Sequence, residues 1–317
     1  MTLYLSCLLM LSVAVMLGYV NHKFIKMETT IAIMTGALVF SACVILLGNL
    51  SFLSDIKLVF TDFLNGVEFE SLLMQGMLPY LLFAGSINID ASDLKKQAVS
   101  IGVLATLSTI FSAILIGFII NKVLMLAGVP MGLEYCFLFG ALISPTDPIA
   151  VIGVLKTFNA SKSIRIKLAG ESLFNDGIGI VLFITIQTLI NTNAPVTFNL
   201  VACLFIIKAL GGVAFGLILG MLMYFLIKGI DDHKLEVLIT LVVVGAGYAV
   251  AENLYMSGPL AMVVSGIFIG NKKELFSNSP TAANYLNTFW ELIDEILNAV
   301  LFLLIGLEIL TINYHLS

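Results

Sequence analysis

The sequence predicts an all-α integral membrane protein, a polytopic helical bundle, and three observations predict it. Sixty per cent of the 317 residues are apolar and 11% are charged, with a mean hydropathy of +1.08. A soluble domain carries roughly a quarter charged residues, so too few charges remain here to cover a surface facing water. The apolar residues fall into ten runs near the ~20 residues that a membrane-crossing helix needs. Most of these runs lack the period-two alternation of a membrane β-barrel, and a helix satisfies its backbone within hydrocarbon by itself.

In order, the predicted spans are Thr2–Val20, Thr30–Leu47, Leu72–Ile87, Ala98–Ile120, Leu133–Leu155, Ile166–Ile190, Phe198–Ile227, Leu235–Ala251, Tyr255–Gly270 and Phe289–Leu310. Residues 1–317 thus read as one membrane domain with no soluble appendage. The first run is not a signal peptide, because its positive charges, Lys23 and Lys26, follow the apolar stretch instead of preceding it. Loops after the odd-numbered spans, counted with Lys167 at the very start of span 6, hold twelve of the fifteen Lys and Arg residues, and the opposite loops hold only Lys57 and Lys122. Positive charge stays on the cytoplasmic side, which places the N-terminus outside. The polar stretch Gly48–Ser71, with Asp55, Asp62, Glu68 and Glu70 among apolar residues, reads as an interfacial amphipathic segment.

Composition also excludes several classes. A net charge of −5 with no basic stripe leaves no nucleic-acid partner. Cys7, Cys43, Cys136 and Cys203 each stand alone in an apolar run and read as small buried hydrophobes, and the three histidines, His22, His233 and His315, lie outside the runs. Neither a zinc centre nor a nucleophile–histidine enzyme is built from that set, and no cofactor is expected.

Ionisable residues inside a span are costly and mark function by default. Span 5 contains Ser144-Pro145-Thr146-Asp147-Pro148. Two prolines three residues apart remove backbone donors and disfavour helix just before them, so the helix should break near Thr146–Asp147 in mid-membrane. Unwound backbone at that depth belongs where protein or a water-filled cavity covers it. Span 6 contains Gly170-Glu171-Ser172-Leu173-Phe174-Asn175-Asp176-Gly177. Ser172 and Asp176 share a face at i and i+4, and Glu171 and Asn175 share the next. Asp176 lies deep enough to read as functional. Glu171 reads either as a helix-end charge near the basic loop or as part of the same site. Lys208, inside span 7, is explained by tilt and snorkelling as well as by function. Glu291, Asp294 and Glu295 beside Trp290 read as a solvated lead-in to span 10 with an interfacial Trp anchor.

Ser144-Pro145-Thr146-Asp147-Pro148 followed by Gly170-Glu171-Ser172-Leu173-Phe174-Asn175-Asp176 resembles the NhaP-type sodium–proton antiporters, relatives of the animal sodium/proton exchangers. Leu78-Pro79-Tyr80-Leu81-Leu82-Phe83, Phe289-Trp290-Glu291 and Asn298–Leu307 are similar to the same family, in order and spacing across spans 3 to 10. The resemblance implies a homodimer of two-domain protomers in the cell membrane, with inverted repeats and a crossing pair of broken helices. It implies that Asp176 alternately holds a cation or a proton and that Thr146 and Ser172 lend oxygens. Asn175 and Asp147 would secure the crossing region, and Glu171 would pair with an arginine of a later span. An Asn-Asp pair at Asn175-Asp176 is similar to the electroneutral branch. Where many members carry a glutamate after the Leu-Leu-Phe of span 3, this chain has Ala84, and its one arginine is Arg165. About three further spans are expected after Ser317. The expected function is exchange of a monovalent cation, Na+ first and Li+ or K+ as others, for H+. The alternative is a truncated, non-transporting scaffold or an incomplete fragment of such an antiporter.

Overall fold

The structure is a computed structural model that describes residues 3–46, 71–146, 161–192, 198–230, 232–272 and 280–310. Asp147 and the stretch from Gly48 to Glu70 lie outside the described residues. Within them the chain is all-helical, and a helix occupies part of each of the ten apolar runs. The helices are α1 (Leu3–Val20, continued by a π-helical turn Asn21–Ile25), α2 (Thr29–Leu46), α3 (Leu72–Ile87), α4 (Ala91–Leu126), α5 (Leu133–Ile143), α6 (Lys162–Thr192), α7 (Phe198–Ile227), α8 (His233–Asn253), α9 (Gly258–Gly270) and α10 (Pro280–Glu308). Six of them are long and apolar enough to cross a bilayer; α3, α5 and α9 are shorter apolar helices.

Capping residues set the ends where the chain turns. Asp232 accepts from the N–H groups of Lys234 and Leu235 at the start of α8, and Ser257 accepts from Leu260 N at the start of α9, where Pro259 fits the first turn. The α1–α2 turn is clamped by buried Asn21, whose Nδ2 donates to Met27 O at 2.9 Å while its Oδ1 accepts from Met27 N at 3.0 Å. Asn271, after α9, accepts from Ala91 N at 2.7 Å and donates to the carbonyls of Ile89 and Ile267, tying the α3–α4 turn to α9.

The chain divides into two compact units. One comprises residues 1–81 and 292–317 and is built on an apolar cluster of Met10, Ala14, Ile33, Ala37, Val44, Leu303, Leu304, Leu307 and Leu310. The other comprises residues 82–291; in it α4 packs along α5 and α7 along α9, with α6 touching α4, α5, α7 and α9.

Three side chains differ from the sequence reading. Trp290 is fully buried, its Nε1 donating to Thr240 Oγ1 at 3.1 Å and its ring against Phe83. An indole N–H needs a partner when buried, and α8 supplies it, so Trp290 is a core residue of its unit and not an interfacial anchor. Cys136 is buried as expected, but Cys43 and Cys203 are exposed on the helix surfaces. Thiols need no water, so the lipid-facing side of a membrane helix accommodates them as well as its core does.

Candidate functional site

Helix α5 ends at Ile143, and Ser144 caps it, still helical in conformation with its N–H donating to the Gly140 carbonyl at 3.0 Å; Pro145 and Thr146 lie outside the helix. Proline supplies no N–H and crowds the preceding turn, and the released Thr146 is thereby turned toward α6. Gly179 makes this approach possible: a Cβ there would lie 2.3 Å from Pro145 Cγ, so only glycine lets the proline sit against the helix.

Four polar side chains converge at this junction. Asn175, 1% exposed, donates from Nδ2 to Thr146 Oγ1 at 2.9 Å and to Glu171 Oε1 at 2.8 Å. The Asn175 Oδ1 accepts a longer bond from Thr146 N at 3.5 Å. Ser172, 3% exposed, meets Thr146 through the two hydroxyls at 3.3 Å. Both amide hydrogens of Asn175 are therefore committed, one along α6 and one across to Thr146 just beyond the end of α5. Each neutral bond contributes about 0.5–1.5 kcal/mol net, but stranding a buried partner costs about 1–3 kcal/mol. Asn175 takes part in three of the four bonds of this group and is its hub.

Asp176 follows Asn175 on α6, half-buried, and shares its helical face with Ser172 one turn earlier. Thr146, Ser172, Asn175 and Glu171 are thus brought together as a bonded group, with Asp176 on the same stretch of helix. The hydroxyls of Thr146 and Ser172 and the carboxylate of Asp176 are hard oxygen donors, the type suited to alkali-metal-like cations and not to soft metals. Glu171 bonds to Asn175 of its own helix, four residues on. Ala84, at the position where the sequence departs from the family pattern, is buried.

Some polar groups were not joined by the sequence reading. Lys208 lines a cavity of about 250 Å³ together with Thr188, Glu252 and Ser257. The Lys208 carbonyl accepts from Ser257 N at 3.1 Å, and Glu252 Oε1 accepts from Gly258 N at 3.1 Å. Lys208 therefore faces a pocket whose lining also includes the apolar Val181, Ile184 and Met256. At the start of α8, His233 Nδ1 lies 3.9 Å from Glu236 Oε2, and the His233 ring stacks on Tyr285. No periodicity links Lys208 to Glu252, because the residues come from different helices.

Residues 9–316 match the family model described as the transmembrane sodium/hydrogen exchanger. Among curated proteins the chain is 42% identical over 304 residues to the Na(+)/H(+) antiporter NhaP of Pseudomonas aeruginosa, covering 96% of this chain and 72% of that protein. It is 30% identical over 313 residues to the Na(+)/H(+) antiporter NhaH of Halobacillus dabanensis, covering 98% of this chain and 74% of that one. Among solved structures it is similar in fold to the sodium proton antiporter MjNhaP1 from Methanocaldococcus jannaschii at pH 8, with a TM-score of 0.74 at 23% identity over 97% of this chain and 71% of that one. With the family model matching almost the whole chain and a relative at 42% identity, the chain belongs to the transmembrane sodium/hydrogen exchanger family.

Proposed function

We propose that the chain is a secondary active antiporter that exchanges Na+, or a similar monovalent cation such as Li+ or K+, for H+ without moving net charge, with Asp176 as the ion-carrying group. The observation that carries this reading is the bonded group of Thr146, Ser172, Asn175 and Glu171 beside Asp176 at the broken end of α5. One negative charge away from bulk water is compensated by a proton or by a cation, and a single carboxylate does not hold both. If only the compensated forms reorient between the two faces, exchange follows. Thr146 and Ser172 supply neutral oxygens to the cation in place of water. Asp147 assists at the same break, and Glu171 is held in place by Asn175.

The relatives named above are antiporters by name, which supports sodium and protons as the exchanged pair. Asn175 carries no charge and has both N–H groups engaged, which supports one ion-carrying group in this pair and a one-for-one exchange. The protein would then work as a homodimer in the cell membrane, with its N-terminus outside.

The reading is tested in proteoliposomes containing the full chain, by following proton movement when Na+ is added. Sodium-driven flux is expected, and flux that does not respond to Na+, Li+ or K+ would sink the reading. Electroneutrality is tested by imposing a membrane potential at equal pH on both sides. A unit charge crossing 100 mV is worth about 2.3 kcal/mol, so a net-charge-moving exchanger would accumulate sodium, whereas this one is expected not to.

A further inference from the structure

The C-terminal ends of α7 and α9 place two lysines on one aromatic ring. Lys228 Nζ lies 5.6 Å from the Tyr224 ring centre; Lys272 Nζ lies 5.5 Å from that same centre and 4.9 Å from the ring centre of Phe268. The ring faces attract both cations but carry no net charge, so the two positive charges remain uncancelled. Among the described residues, the ion pairs join Lys96 and Lys162 to Asp93 and His233 to Glu236, and none involves Lys228 or Lys272. Both ammoniums end 5.6 Å and 5.5 Å from one ring centre on long, rotatable side chains, so the two lysines and the phenol hydroxyl of Tyr224 form a set of donors able to close on an anion bound beside that ring.

Approaching Lys228 along α7, Ile218, Met221, Leu222 and Phe225 recur at i, i+3, i+4 and i+7, and all four are exposed, Phe225 at 69%. That spacing makes one continuous apolar stripe on the helix. The stripe ends where the cations begin. A free phosphate would use only the cations and a neutral lipid tail only the stripe. A phospholipid uses both. A choline headgroup brings its own ammonium toward two others, so a headgroup with net negative charge is favoured.

We propose that Lys228, Tyr224 and Lys272 hold the headgroup phosphate of an anionic phospholipid whose acyl chains lie along the Ile218–Phe225 stripe of α7. Because the two lysines come from different helices that pack together, the bound lipid fastens the end of α7 to the end of α9. This inference uses the membrane character of the chain and none of the exchange mechanism, so it stands or falls independently of Asp176.

Native mass spectrometry of the purified full chain, with phosphatidylglycerol or phosphatidylcholine added, tests it. The wild-type chain is expected to retain phosphatidylglycerol in preference to phosphatidylcholine. Lys228→Ala/Lys272→Ala should weaken phosphatidylglycerol retention roughly thirtyfold, given the contribution expected of two lysines near a lipid surface. Lys228→Arg/Lys272→Arg should preserve it, as should Lys122→Ala, a lysine elsewhere. Glycerol phosphate, which lacks acyl chains, should not displace the lipid. Equal retention of both lipids by the wild-type chain overturns the proposal. So does unchanged retention in the double Ala variant, loss in the Arg variant, or displacement by glycerol phosphate. If the double Ala variant alters only the proportion of dimer, a second copy covers this face instead, and the proposal is likewise overturned.

Discussion

In α1, α2 and the end of α10 the buried cluster is apolar, Met10, Ala14, Ile33, Ala37 and Val44 against Leu303, Leu304, Leu307 and Leu310, with Thr30 and Ser41 the buried polar residues of α2. In one six-residue stretch of α6, by contrast, Ser172 and Asn175 are buried while Glu171 and Asp176 are half-buried. Both regions face the same difficulty, since lipid tails are as apolar as leucine and no hydrophobic drive brings helices together within a bilayer. The first solves it with close packing. The second gives up packing for polar groups, each needing a partner, and finds that partner at a proline break 29 residues away in Thr146. A polar group kept in hydrocarbon against such a cost is kept for what it does, so changes in the two regions should separate transport from stability.

The largest separation is expected at Asp176. Asp176→Asn keeps size and most hydrogen bonding but removes the charge that a proton or a cation must balance. Sodium-driven proton flux should fall to the level of empty vesicles while insertion and melting temperature stay near wild type. Exchange at wild-type rate by this variant would remove Asp176 as the carrier.

A somewhat smaller effect belongs to the hub. Asn175→Ala removes one partner from Thr146, which keeps Ser172, and one from half-buried Glu171, at about 0.5–1.5 kcal/mol for each bond lost, so both stability and exchange should drop, exchange by roughly tenfold or more. Thr146→Val should do part of the same damage. A double-mutant cycle between Asn175 and Thr146 should give a coupling of about 0.5–3 kcal/mol, as for residues in one network. Strictly additive effects would mean that the two residues act separately, and the contrast between the regions would lose its basis.

In the apolar region the prediction runs the other way. A Cβ added at Gly306 would lie 2.5 Å from Ala37 Cβ and 3.0 Å from the Met34 carbonyl oxygen. Gly306→Ala should therefore destabilise by about 1–3 kcal/mol through overpacking, read as a lower melting temperature. Exchange per folded molecule should remain that of the wild type. A selective loss of transport would show that this region is more than packing.

Much of this contrast was legible in the sequence, and the residues show why some of it was not. The i, i+4 spacing of Glu171 with Asn175 and of Ser172 with Asp176 follows from helical geometry alone, and the first of these pairs is bonded in the structure. The end of α5 follows from Pro145 and Pro148. The bond from Asn175 to Thr146 does not: it depends on the angle at which the broken helix meets α6, which Gly179 permits and no local pattern encodes. Trp290 failed for the same reason. Beside Glu291, Asp294 and Glu295 it has the composition of an interfacial anchor, and only the packing of α8 on α10 reveals Thr240 as its partner. Lys208 and Glu252 likewise meet only because the α8–α9 turn folds onto α7. Periodicity reports the face of a helix, whereas the identity of what that face meets is a property of the assembled bundle.

The smallest effect, and the finest test of the contrast, is at Ser41, the buried polar residue of α2 that bonds across to α10. Its hydroxyl donates to the Gly306 carbonyl at 2.8 Å. That carbonyl sits in the last turn of α10, where helix carbonyls run out of partners. The N–H that would close the turn onto it, from Leu310, donates to Leu307 O at 2.9 Å. Ser41 thus satisfies a helix end, a different task from the one proposed for Thr146 and Ser172. Ser41→Ala leaves the carbonyl short of that donor, and interhelical hydrogen bonds in membrane proteins contribute on average about 0.6 kcal/mol and at most about 1.7 kcal/mol. A melting temperature lower by a few degrees is expected, with sodium-driven flux per folded molecule unchanged. Ser41→Thr, which retains the hydroxyl, should recover most of the loss. If Ser41→Ala instead reduced exchange while leaving melting untouched, a buried hydroxyl in the apolar region would be serving transport, and the division between a packed region and an ion-handling region would have to be redrawn.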